Sequence, residues 1–100
     1  MSEGFVEHID PELAELVERF LDGSRRDAAQ LASALEQGDM ETAQRIGHSA
    51  KGAGAAYGFL GLRDLGQRLE QAAGAGDLAG SLALLGQFRD YLERVRGEYT

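Results

Sequence analysis

Apolar residues recur along this chain three and four positions apart, the spacing that lines one face of an α-helix. Leu13, Leu16, Val17, Phe20 and Leu21 begin such a stripe, and Ala28, Leu31 and Leu35 continue it past Gly23 and Ser24. The pattern predicts one long helix over about 11–37, bent at the glycine, with Asp10 capping it, Pro11 in its first turn and Gly38 stopping it. Asp39 caps a second helix over about 39–58, whose stripe is Ala43, Ile46, Ala50, Ala53 and Tyr57. Leu62, Leu65, Gly66, Leu69, Ala72 and Ala73 mark a third over about 62–74, closed by Gly74-Ala75-Gly76. Asp77 opens a fourth over about 77–97, carrying Leu78, Leu82, Leu85, Phe88, Leu92 and Val95. No segment alternates with period two, so no strand is expected, and the residues before Asp10 read as a polar leader. Short connections join antiparallel neighbours, which makes the expected fold all-α, an up-down antiparallel four-helix bundle in a single domain, residues 1–100.

The second helix separates into two faces. At about 100° per residue its apolar stripe falls opposite His48, so the imidazole faces water. Gln44, Arg45, Lys51, Gly52 and Ala55 share its side of the helix, each within about 60° of it. Lys51 stands one turn on and Arg45 one turn back, where either cation can reach anionic oxygens held at the ring. Gly47, Gly52 and Gly54 each cost about 1 kcal/mol relative to alanine inside a helix. Close packing against a neighbouring helix explains Gly47 and Gly54, which flank the buried stripe. Gly52 lies on the His48 face, where a missing side chain lets another protein's backbone approach the ring.

Imidazole suits phosphoryl carriage because its reference pKa near 6.5 leaves it mostly neutral and nucleophilic at neutral pH. The transfer depends mainly on positioning and charge neutralisation, so one nucleophile and a cation suffice when the partner brings magnesium. The chain has no G-x-x-x-x-G-K-[ST] segment, and no nucleotide site or cofactor of its own is expected. A net charge of −7 argues against nucleic acid as the partner and leaves another protein. Zero cysteines exclude disulfides and thiolate chemistry. No run is long and apolar enough for a membrane span, and the start Met1-Ser2-Glu3-Gly4-Phe5 lacks a secretory pattern, so the expected compartment is the cytoplasm.

His48-Ser49-Ala50-Lys51-Gly52, with Gly54 and Gly58-Phe59 beyond it, resembles the H-[ST]-x-K-G motif of histidine-containing phosphotransfer (HPt) domains, including the amino-terminal domain of chemotaxis histidine kinases. Asp10-Pro11-Glu12-Leu13, Gly38-Asp39 and Leu69-Glu70 are similar to the same family pattern, so the likeness covers about nine-tenths of the chain. Gly47 and Ala50 depart from it, where many members carry alanine and leucine. The resemblance implies that His48 is phosphorylated, that Lys51 helps to hold the phosphoryl group, and that Gly52 permits docking of a response-regulator receiver domain. Receiver domains, or a hybrid sensor histidine kinase, are the implied partners.

His8 sits in the leader with no helical partner and reads as solvated. His48 has Gln44, Arg45, Lys51 and Gly52 one turn away rather than a second ligand, so no metal is expected. Phe59 and Leu60 follow the second helix and cap the core; an exposed Phe59 would instead join Gln44, Gly52 and Ala55 in a docking patch. Three rival readings compete. An unphosphorylated adaptor for receiver domains does not need an imidazole beside Gly52. The dimerising hairpin of a sensor kinase needs a second chain to complete four helices, whereas this chain has four and is expected to be a monomer. An enzyme acting on small molecules lacks a paired acid and base.

Overall fold

The computed structural model describes residues 4–99, leaving Met1–Glu3 of the leader and Thr100 outside the described residues. Its elements in chain order are β1 (Phe5–Ile9), a 3-10 turn (Pro11–Leu13), α1 (Ala14–Glu36), α2 (Met40–Tyr57), α3 (Leu60–Gly74), α4 (Leu78–Arg94) and β2 (Val95–Tyr99). The four expected helices are present, and α1 runs through Gly23 as a single helix. Each predicted aspartate cap forms. Asp10 Oδ1 accepts from the Glu12 amide at 2.9 Å, Asp39 Oδ1 from the Thr42 amide at 3.1 Å, and Asp77 Oδ1 from the Gly80 amide at 2.9 Å. Gly38 ends α1 at φ +68° and Gly58 ends α2 at φ +86°, left-handed conformations that a side chain resists.

α2 and α4 each pack against both α1 and α3, so they occupy opposite corners of the bundle. Leu31, Phe59, Leu62, Leu69 and Tyr91 are among the most buried side chains at its centre. Phe20 stacks on both Tyr57 and Phe59, with ring centroids 4.4 and 5.2 Å apart, which closes the end of the core beneath the α2–α3 turn.

Three expectations fail here. Within the leader Phe5–Ile9 form a strand: β1 pairs in parallel with β2, Phe5 opposite Val95 and Ile9 opposite Tyr99. The fourth helix accordingly stops at Arg94, and Val95 turns to extended backbone at ψ 143°. The strand pair is anchored by Glu7, whose Oε2 accepts from the Gly61 amide at 2.7 Å and the Tyr91 hydroxyl at 2.6 Å, and by Ile9, which enters the core. Those two anchors replace the missing alternation, because the pairing itself needs only backbone groups. Leu16, Leu60, Leu78 and Leu82, predicted to be inward-facing or core-capping, are exposed.

Candidate functional site

Close approach of α2 and α3 builds the site. A Cβ on Gly47 would stand 2.6 Å from the Glu70 amide nitrogen, and one on Gly54 would stand 2.5 Å from that of Arg63. A Cβ on Gly66, from the other side, would strike the Lys51 amide nitrogen. Three glycines therefore let two backbones touch, as expected for Gly47 and Gly54. Gly66 had been read only as part of the apolar stripe of α3, and it supplies the other half of the seam. One consequence is positional: the backbone of Glu70 lies directly against that of Gly47, so its carboxylate emerges beside His48.

That carboxylate holds both residues of the motif. Glu70 Oε2 lies 2.7 Å from His48 Nδ1, and Glu70 Oε1 accepts from Lys51 Nζ at 2.7 Å. The hydrogen bond from Lys51, and secondarily that from His48, holds the Glu70 carboxyl below its ordinary value of 4.5. An ionised carboxylate only accepts hydrogen bonds, so in the neutral ring the proton sits on Nδ1 and the free lone pair on Nε2. The imidazole side chain is 69% exposed, against 37% for Lys51 and 24% for Glu70. The carboxylate is thus a partly covered base under a ring whose outer nitrogen faces solvent. Sequence reasoning noted Leu69-Glu70 but gave Glu70 no role; its place at the exposed margin of the α3 stripe was the available signal.

The remaining motif residues surround this centre. Gly52 is exposed, and a Cβ there would meet nothing within 4 Å. Ala55 is exposed one turn further along. Gln44 lies over Gly74 of α3, close enough for its amide to meet a Cβ built there at 2.8 Å. Arg45 is exposed on the α1 side of the ring, lining an open cleft of about 140 Å³ with Asp27, Gln30, Ile46 and Ser49. Phe59 does not join the docking patch. It is 0% exposed, drawn into the core by its stack with Phe20, and it leaves the neighbouring Leu60 outside. His8 is exposed on β1, away from the motif in sequence.

The fold and site define a class: a four-helix bundle that presents an exposed imidazole on its second helix, hydrogen-bonded to a glutamate that also holds a neighbouring lysine. Comparison with known families places residues 15–98 in the Hpt domain, and the chain belongs to that family. Hpt domains are phosphocarrier modules of phosphorelays, built for histidine phosphotransfer rather than for binding ATP. The family interacts with receiver domains or histidine kinases. No curated protein and no solved structure matches the chain. Among the described residues no helix is long and apolar enough to cross a membrane.

Proposed function

We propose that the protein is a phosphorelay carrier that takes a phosphoryl group onto His48 Nε2 from the phospho-aspartate of a receiver domain, or from a histidine kinase, and passes it to another receiver aspartate. The observation that carries this reading is the bond between His48 Nδ1 and Glu70, which leaves Nε2 unprotonated and exposed. In the forward step the Nε2 lone pair forms a bond to phosphorus while the bond from phosphorus to the aspartyl oxygen breaks, returning that carboxylate to the donor. No proton has to move. Nδ1 keeps its hydrogen, the ring acquires positive charge, and Glu70 lies 2.7 Å away to balance it. Lys51 can turn a second ammonium hydrogen to the phosphoryl oxygens while still bonded to Glu70, since an ammonium has three donors. Arg45 adds positive potential from the turn before. Gly52, with Ala55 and Gln44 around it, is the bare surface on which the receiver's backbone settles, and magnesium is expected from the receiver.

The test is incubation with phosphorylated receiver domains. Acid-labile, alkali-stable label should appear on the wild type and vanish in His48→Gln, with helical circular dichroism unchanged because the ring is exposed. A folded protein that takes no label from several receivers and kinases would favour an adaptor that docks receivers without carrying phosphate.

A further inference from the structure

The surroundings of His48 are closed on one side and open on the other. Towards α3, the Glu70 carboxylate and the Lys51 ammonium stand against the ring. Towards α1 the surface falls away. At about 100° per residue Gly52, Arg45 and Ser49 turn progressively from the ring to that side. Beyond them α1 and α2 part around the cleft of about 140 Å³ lined by Asp27, Gln30, Arg45, Ile46 and Ser49. A cavity of that order holds one benzene-sized group. Ile46, only 8% exposed, is its apolar floor, and a narrower space behind it reaches inward past Ala28 and Ala50, with Asp27 and Ile46 common to both. Asp27 makes the α1 wall an unmet acceptor, because its carboxylate forms no hydrogen bond or ion pair with any described residue. Partial burial pushes that carboxyl above its ordinary value of 3.8, against the lowering charge of Arg26.

Building on the phosphorelay reading of His48, we infer that this cleft selects among receiver domains, taking an apolar side chain of the receiver onto Ile46 and a lysine or arginine beside it onto Asp27. Position chooses the occupant. Ser49 follows His48 in the chain and Arg45 stands one turn before it, so a protein that brings its aspartate to Nε2 over bare Gly52 covers the mouth of the cleft. The α3 side cannot take the same load, because the ion pair of Glu70 and Lys51 already fills it. Charge chooses the polar contact. A cation approaches a chain of net charge −7 and meets an acid with no bonded donor, and closure of the two surfaces expels the water that would screen the pair. Arg45 stands on the other wall, so the cleft accepts that cation on the α1 side and repels one placed nearer to α2. Receivers that lack the cation leave Asp27 covered and unpaired, and they dock less well although the chemistry at His48 is the same for all.

Phosphorylated receivers are compared with phosphoramidate, a small phosphoryl donor that needs no docking surface. With a receiver that labels the wild type, Asp27→Lys should raise KM roughly tenfold with kcat little changed, the mark of lost docking rather than lost chemistry. Labelling of the same variant by phosphoramidate should match the wild type. Changing to glutamate, one at a time, the lysines and arginines around the receiver's aspartate should reveal one that restores transfer to Asp27→Lys while weakening transfer to the wild type, as a direct pair requires. Asp27 is exposed, so the variant should melt as the wild type does. Asp27→Asn, which keeps the shape and removes the charge, should raise KM in the same direction and covers the case in which lysine disturbs α1. An unchanged KM in both variants, or no receiver cation whose reversal restores transfer, would overturn the selective role of the cleft and leave phosphoryl carriage standing. A wild type labelled by phosphoramidate but by no receiver would overturn the phosphorelay reading itself, and the role of the cleft with it.

Discussion

Glu70 accepts from two donors at once, the His48 ring at Oε2 and the Lys51 ammonium at Oε1. Replacing it by glutamine removes the charge and lets the amide oxygen satisfy only one of them. With the charge gone the ring loses the group that balances its positive charge during transfer, so phosphoryl acceptance by Glu70→Gln should slow roughly tenfold, read from the initial rate of labelling. The bond also has a pH signature. Glu70's folded pKa is depressed, so its contribution to stability is fully present above the ordinary carboxylate value and is lost as pH falls through the lowered one. The difference in melting temperature between wild type and Glu70→Gln should therefore be largest at neutral pH and shrink as the solution is acidified. A difference that persisted in strong acid would show that the carboxylate's charge is not what counts. This role was not legible in the sequence, because the partners lie 22 and 19 positions apart on different helices. The histidine, lysine and glycine were legible because one turn of a single helix gathers them.

At the scale of elements, the two kinds of glycine in α2 should respond in opposite directions to the same substitution. Gly47→Ala drives a methyl group into the backbone of α3 at Glu70, so the helices must part. That overpacking should cost about 1–3 kcal/mol in urea unfolding, and transfer should slow as well, since Glu70 moves off the ring. Gly52→Ala meets open space and replaces a poor helix former. It should raise stability by up to about 1 kcal/mol while slowing transfer from a receiver domain, a combination that only a docking role produces. The helices could be read in advance because capping and periodicity are local properties. Phe59 was harder: next to a left-handed turn, its side follows from which aromatic rings stand across the bundle rather than from its neighbours in the chain.

For the molecule as a whole, the two short strands were the part hidden from the sequence. Their pairing joins residues some 90 positions apart through backbone groups that every residue has, and β1 shows its inward side only at Glu7 and Ile9. Glu7 makes the connection specific by accepting from both α3 and α4. Burial together with this hydrogen bond pushes the Tyr91 phenol far above its ordinary value, so it remains a neutral donor throughout the physiological range. Glu7→Ala leaves that hydroxyl and the Gly61 amide without their partner and should cost about 1–3 kcal/mol in denaturant unfolding, with His48 still competent for labelling in the folded fraction. The parallel arrangement has a mechanical result. Traction applied to the chain beyond Phe5 and beyond Tyr99 acts at opposite ends of the paired strands. It therefore shears their rungs together instead of unzipping them one at a time, and the strand pair is a clasp that resists extension of the chain before the helices bear any load.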